Sequence, residues 1–170
     1  HRHLERCIFT AVELRSRVLS VSQDYFDLPM DNRVHYICQD ALGFIQQGQQ
    51  GSVDIIFADL FDAYLMHPTQ AQPEFLVQCL RLLSTDGCLA INFHQLPAPR
   101  SVFFTSLKQL FPTVLVVSGD AGNHVVLASK KTQWCLQEAT GKITRLEEEL
   151  ATCFASVLSK LQHSVSEATL

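Results

Sequence analysis

Acidic side chains follow three successive apolar segments of the chain, each where the segment ends. Glu13 follows IFTAV, Asp40 follows VHYIC after one glutamine, and Asp59 follows DIIFA; a further acid, Asp62, comes three residues later. Because the carboxyl ends of parallel strands meet at one edge of a sheet, where ligands bind, these acids predict one ligand-binding cleft. The alternative for any single acid is that it caps the helix that follows.

The chemistry of such carboxylates indicates a class of ligand. A carboxylate at a strand end of this kind of sheet can accept two hydrogen bonds from ribose hydroxyls. A second can accept the N–H of an exocyclic amine, and a third can pair with a cation or take a proton from an amine. Ribose, adenine and a cationic centre together describe an adenosyl sulfonium compound, which we take as the hypothesis for this edge.

Six short apolar segments must position these acids. They are rich in β-branched and aromatic residues and mostly lack strict alternation, which is typical of strands buried on both faces. They are residues 8–12, 34–38, 54–58, 88–93, 113–118 and 124–129.

Helical patterns separate these segments. They cover residues 15–26, 73–83 and 99–111. Pro73 suits a first helical position, and TDG at 85–87 is expected to end that helix. The alternation predicts an α/β fold, a doubly wound and mostly parallel sheet with helices on both faces. Residues 119–123 are too few for a crossover, so the last two strands should form a C-terminal antiparallel hairpin.

A long amphipathic pattern fills the C-terminal part of the chain. Apolar residues recur every three or four positions over residues 132–164, and the charges of KITRLEEEL lie on the other face. This predicts a long helix that packs on its own sheet or joins a partner chain, as in a possible homodimer. We therefore divide the chain into an α/β domain, residues 1–131, and a helical segment, residues 132–170.

The composition excludes several classes of partner. The net charge is −4 and no Lys/Arg cluster occurs, so we expect no nucleic acid. No signal peptide and no apolar run of about 18 residues occur, so we expect a soluble cytoplasmic protein without membrane contact. No His/Cys/Asp cluster has metal spacing, so no metal is expected. Six cysteines without a CxxC pair predict buried free thiols in a reducing compartment.

Four further side chains could line the cleft. Tyr64, which we take as a substrate-binding candidate, and His67 follow the acidic pair, while Asn92 and His94 lie where CLAINF ends. His94 could act as a general base. The alternative for Tyr64, His67 and His94 is a place in a surface loop.

Short motifs occur in the order and spacing of a known family. They are VEL at 12–14, QDA at 39–41, the DxxD pair at 59–62 and DGCLAIN at 86–92. Over about residues 8–130 the chain resembles the spermidine synthase family of polyamine aminopropyltransferases, above all its shorter spermidine synthase-like members. The resemblance implies a Rossmann-like, class I methyltransferase-like fold and a ligand that is S-adenosylmethionine or its decarboxylated form.

The resemblance also implies a role for each acid. Glu13 matches the acid that binds the ribose hydroxyls, and Asp40, with Ala41 beside it, matches the position that binds adenine. Asp59 matches the acid that acts as base and orients the attacking amine. Asp62 matches the acid that holds the cationic end of a polyamine.

The chain departs from the family pattern in two places. The family's first strand and glycine-rich loop have no counterpart here, so we expect either a longer native protein or a degenerate domain. In the acidic loop Leu60 and Phe61 replace small hydroxyl residues, and Ala63 replaces a proline. Large apolar groups there would narrow or reshape the amine pocket.

Three functions stay open. The first is a spermidine synthase-like transferase domain that binds S-adenosylmethionine, its decarboxylated form or methylthioadenosine. The second is an S-adenosylmethionine-dependent methyltransferase, in which Asp59 and Asp62 shape the substrate pocket. The third is a non-catalytic remnant that dimerises through its C-terminal helix.

Overall fold

The chain forms mixed α/β structure in two compact units, residues 1–48 and residues 49–170. The structure, a computed structural model, describes residues 6–26, 28–62, 65–119 and 122–132. Beyond its first residue, the predicted helix at residues 132–164 lies outside the described residues, and so does Tyr64. No helix within the described part of the chain is long and apolar enough to cross a membrane.

The first unit contains a parallel strand pair with a helix between its strands and a second helix after it. Its elements are β1 (Phe9–Glu13), α1 (Ser16–Tyr25), β2 (Val34–Cys38) and α2 (Ala41–Gln47). β1 and β2 pair in parallel from Phe9 opposite Val34 to Glu13 opposite Cys38. The predicted helix at residues 15–26 is confirmed, although none of the residues of α1 is buried.

The second unit contains a four-stranded sheet with helices. Its elements are β3 (Val53–Ala58), a 3₁₀ helix (Pro68–Ala71), α3 (Pro73–Leu82), β4 (Leu83–Phe93), α4 (Val102–Leu110), β5 (Thr113–Ser118) and β6 (His124–Ser129). The strand order is β3-β4-β6-β5, with β3 parallel to β4 and β6 antiparallel to both of its neighbours.

This order agrees with the prediction of a mostly parallel sheet that ends in an antiparallel hairpin, because β3, β4 and β5 run in one direction and, among the described strands of this sheet, β6 runs against them. β5 and β6 are antiparallel, as their short connection requires. β6 then lies between β5 and β4, so its reversed direction also makes the β4–β6 pair antiparallel. Within its described residues the four-stranded sheet therefore has one parallel pair and two antiparallel pairs.

Helices α3 and α4 pack against each other and supply much of the core of the second unit. α3 begins with a proline at its first position, as predicted, and the hydroxyl of Ser101 caps α4 by accepting the N–H of Phe104 at 3.4 Å. Buried side chains of the two helices are Phe75, Leu76, Cys79, Leu82, Phe103, Phe104 and Leu107.

Helix α3 passes directly into β4 with no intervening residue. The helix ends at Leu82, shortly before TDG at residues 85–87, and these residues lie where β4 is irregular: Val53 is opposite Leu83, whereas Ile55 is already opposite Cys88. A Cβ on Gly87 would lie 2.9 Å from Leu83 Cβ and 3.0 Å from the carbonyl oxygen of Ser84. Residues four positions apart come this close only where the chain turns, so Gly87 belongs to a tight turn that interrupts β4.

The cysteines differ in burial. Cys79 is buried and Cys88 is half-buried, in line with the prediction of buried thiols. The prediction is wrong for Cys7 and Cys38, which are exposed. Cys38 ends β2, where the strand leaves its pairing with β1.

Candidate functional site

Glu13 and Asp40 lie at one edge of the two-stranded sheet, because the parallel strands β1 and β2 both end there. Glu13 Oε1 accepts the backbone N–H of Arg15 at 2.8 Å and lies 3.3 Å from Arg15 Nε. The carbonyl of Glu13 accepts the N–H of Gln39 at 3.1 Å, which carries the strand pairing one residue further. Neighbouring groups thus hold the Glu13 carboxylate while it stays partly open to solvent.

Asp40 caps helix α2. Its Oδ2 accepts the N–H of Gly43 at 2.8 Å, which confirms the capping alternative for this acid. The residue is exposed, and its Oδ1 accepts no hydrogen bond from the described residues. Because the cap uses one oxygen only, the other can still accept an N–H from a ligand. Ala41 is the first residue of α2.

Asp59 follows β3, at the edge where the parallel strands β3 and β4 both end. Its Oδ1 accepts the side-chain N–H of Asn92, near the end of β4, at 2.9 Å. Asn92 Oδ1 in turn accepts from Asn123 Nδ2 at 3.4 Å, which orients the Asn92 amide. The Asp59 carboxylate is therefore exposed and yet held in place by a neighbouring strand.

The loop after Asp59 closes on itself. Asp62 donates its N–H to the carbonyl of Leu65 at 2.9 Å, and Asp62 Oδ1 accepts the N–H of Leu65 at 2.7 Å. His67 donates its N–H to the carbonyl of Leu60 at 2.8 Å. His67 Nδ1 also accepts the first free N–H of the 3₁₀ helix, so it has a capping role. Binding of a cation by Asp62 stays a prediction.

Phe61 contacts the candidate base His94. Their ring centroids are 4.5 Å apart, at an interplanar angle of 35°. Phe61 also pairs with Met66 in an isolated antiparallel bridge, which fixes its backbone. The large apolar residue between the two acids is thus packed against an aromatic ring at the end of β4, and the pair gives this edge an apolar surface beside its carboxylates.

A buried glutamine, which the sequence analysis missed, connects these parts. Gln70 is fully buried; its Oε1 accepts the N–H of Leu60 at 2.8 Å, and its Nε2 donates to the carbonyl of Asn92 at 2.8 Å. No local signal separates Gln70 from the exposed Gln72 two residues later. The bonds join residues far apart in the chain, so only the tertiary structure reveals them.

Each of the two units presents carboxylates at the edge where its parallel strands end. Glu13 and Asp40 in the first unit, and Asp59 in the second, have oxygens that can accept hydrogen bonds from hydroxyls and amines. Within the part of the chain that the structure describes, no group of three His, Cys, Asp or Glu side chains is placed to hold a metal ion.

Solved structures of two kinds of transferase resemble this chain. Human Methyltransferase-like protein 13 in complex with SAH matches at 20% identity and a TM-score of 0.75, over 90% of this chain and 75% of its own. A probable spermidine synthase from Corynebacterium glutamicum matches at 23% identity and a TM-score of 0.64, and the match covers 74% of this chain and 48% of that chain. A spermidine synthase in complex with the transition-state analogue AdoDATO matches at 18% identity and a TM-score of 0.60, and the match covers 73% of this chain and 47% of that chain.

These matches define the class of fold. The chain has the methyltransferase-type α/β fold that spermidine synthases share, as the motifs predicted. It spans about half the length of the spermidine synthases that it matches. No protein-family model matches the chain, and a comparison with curated proteins gives no significant match.

Proposed function

We propose that the chain is the adenosyl-binding domain of a spermidine synthase-like transferase. Glu13 binds the ribose hydroxyls, and Asp40 with Ala41 binds the adenine of S-adenosylmethionine, its decarboxylated form or methylthioadenosine. Asp59 and Asp62 act on the acceptor amine. One observation carries the proposal: the exposed Asp59 carboxylate is held by Asn92 at the carboxyl end of a parallel strand pair, in a methyltransferase-type fold.

The proposed chemistry needs a carboxylate in this position. An ammonium nitrogen must lose a proton before its lone pair can attack the carbon beside the sulfonium, and Asp59 accepts that proton. The new C–N bond forms as the C–S bond breaks, and methylthioadenosine leaves as a neutral thioether. Asp62 attracts the distant charge of a polycation. Phe61, packed on His94, contacts the apolar part of the amine.

A methyltransferase is the second candidate. The likeness to Methyltransferase-like protein 13 covers more of both chains and has a higher TM-score than the likeness to the spermidine synthases. Asp59 and Asp62 would then shape the pocket of a substrate that receives a methyl group. The bound sulfonium compound would be S-adenosylmethionine itself.

Calorimetric titration of the folded, full-length protein tests both candidates. The ligands are S-adenosylmethionine, its decarboxylated form and methylthioadenosine. Tight binding of the decarboxylated form together with putrescine-dependent turnover supports the first candidate, whereas binding of S-adenosylmethionine with methyl transfer supports the second. If none of the three compounds binds, both enzymatic functions are overturned, and a non-catalytic domain that dimerises through residues 132–164 takes their place.

A matched pair of variants tests the role of Asp59. Asp59→Asn can still accept the hydrogen bond from Asn92 but cannot take a proton, so turnover should fall by roughly 10²–10⁴-fold while the affinity for the adenosyl compound is retained. Asp86→Asn is the control, because Asp86 is exposed and lies 3.8 Å from Lys131 in a long ion pair. Equal turnover of Asp59→Asn and wild type would rule out Asp59 as the base.

A further inference from the structure

Gln70 is a polar side chain with no accessible surface, and both ends of its amide are satisfied by backbone groups. Burial of an amide is favourable only when its hydrogen bonds are made. The two partners belong to different segments, since Leu60 lies in the acidic loop and Asn92 near the end of β4. The side chain therefore joins the loop to the strand.

Together with the peptide bond from Asp59 to Leu60, these hydrogen bonds form a closed ring that includes Asp59. Gln70 accepts from Leu60, the residue directly after Asp59, and donates to the backbone of Asn92. The side chain of Asn92 then donates to the Asp59 carboxylate. One buried side chain thus bonds both to the backbone that follows Asp59 and to the backbone of Asn92, the residue whose side chain holds the Asp59 carboxylate.

We propose that Gln70 is the positioning residue of this edge, which fixes the backbone at Asp59 and so the direction of its carboxylate. The role of Asp59 in the reaction rests on the proposed function, whereas the connection between loop and strand does not. Gln70 itself touches no reacting atom. It acts through Leu60 and Asn92, which set the position of Asp59. That position matters because a carboxylate that takes a proton must stay within hydrogen-bond reach of the amine.

Hydrogen exchange of the full-length protein tests the connection without any ligand. In the wild type the Leu60 amide should be protected to a degree comparable with the buried strand residue Ile91. Gln70→Met keeps the length of the side chain but removes both hydrogen bonds, so Leu60 should exchange roughly tenfold faster or more. Gln72→Met is the matched control, because Gln72 is exposed and its side chain makes no capping bond.

Either of two results overturns the connection: fast exchange of Leu60 in the wild type, or equal exchange of Leu60 in wild type and Gln70→Met. The wild-type measurement decides the matter even if Gln70→Met does not fold. If the wild type binds no adenosyl compound, the proposed function fails, and the exchange of Leu60 still reports on the connection separately.

Kinetics then separate positioning from a purely structural role. Folded Gln70→Met should bind methylthioadenosine as the wild type does, while its turnover falls by about tenfold or more. The double variant with Asp59→Asn should be no slower than Asp59→Asn alone, because Gln70 acts through that carboxylate. Turnover of Gln70→Met equal to that of the wild type, or fully additive losses in the double variant, contradict the positioning role.

Discussion

At the scale of single residues, Asp40 shows how one carboxylate can serve both the fold and a ligand. Its Oδ2 caps α2 through Gly43, and its Oδ1 has no hydrogen-bond donor among the described residues. A cap of this kind stabilises a helix by about 1 kcal/mol. Capping and ligand binding, expected as alternatives, are compatible, because each can use a different oxygen of Asp40.

Two variants of Asp40 separate these roles. Asp40→Ala should destabilise the fold by about 1 kcal/mol through loss of the cap, and should weaken nucleoside binding by about 1–3 kcal/mol. Asp40→Asn keeps a capping oxygen for Gly43, so it should retain stability, yet it turns an amide NH₂ towards the ligand and should weaken binding. Thermal unfolding and calorimetry measure the two effects. Unchanged affinity in both variants would mean that the adenine assignment is wrong.

At the scale of elements, Gly87 belongs to a turn that interrupts β4 shortly after α3 ends. TDG is a common turn signal, and here residues 84–87 form a bulge that brings Gly87 close to the side chain of Leu83. A glycine in a strand often marks such a close approach. A side chain added at Gly87 would have to displace the backbone of Ser84 as well as the side chain of Leu83.

Substitution of two glycines should have opposite effects on stability. Gly87→Ala should destabilise the protein by roughly 1–3 kcal/mol, because its Cβ would lie within 3.0 Å of Leu83 and of the Ser84 carbonyl. Gly43→Ala is the control in helix α2, where the nearest atom to a Cβ is 3.5 Å away, and should be neutral or stabilising by up to about 1 kcal/mol. Denaturant unfolding measures both. A Gly87→Ala protein as stable as wild type would refute the close approach.

Much of the fold follows from local patterns. The apolar segments at residues 34–38, 113–118 and 124–129 coincide with β2, β5 and β6 residue for residue. The strand-end positions of Glu13 and Asp59 are likewise readable, because each acid directly follows an apolar run. The pattern of apolar residues predicts which side chains are buried away from water. It therefore locates a helix or strand correctly wherever burial alone determines that element.

The rest depends on contacts between distant segments. The short 3₁₀ helix was not predicted, and its buried Gln70 bonds to Asn92 across 22 positions of sequence. The place of β6 between β4 and β5 is set by sheet pairing and not by the composition of its own residues. No local pattern encodes such partners, which explains why Gln70 was missed and why Asn92 was named only as a cleft residue and not as a partner of Asp59.

At the scale of the whole molecule, burial divides the described cysteines into two classes. Burial raises the pKa of the Cys79 thiol to about 12. Burial also raises the pKa of Cys88, and a hydrogen bond from the backbone of Ala128 partly opposes the effect. Cys7 and Cys38 are exposed. Because the thiolate is the reactive form, the buried Cys79 and the half-buried Cys88 should be inert in the folded state.

Thiol alkylation at pH 8, read by peptide mass spectrometry, tests this division. Cys7 and Cys38 should be modified in the native protein, and Cys79 and Cys88 only after denaturation.

Cys79 also makes the stability of the fold depend on pH, because its thiol keeps a proton in the native state that the unfolded state loses above its ordinary pKa of 9.0. Stability is therefore full below pH 9 and should fall towards pH 12, by about 1.4 kcal/mol per pH unit. Rapid native labelling of Cys79 would contradict its burial.

The closed loop after Asp59 has a consequence for how such a domain can change over evolution. Leu60 and His67 bond to each other across its base, and Gln70 anchors that base to β4. Residues between them can therefore be exchanged without displacement of the sheet or of Asp59. Under the proposed function, a change of acceptor would need only a new loop tip, so selectivity for the acceptor and recognition of the nucleoside would diverge independently.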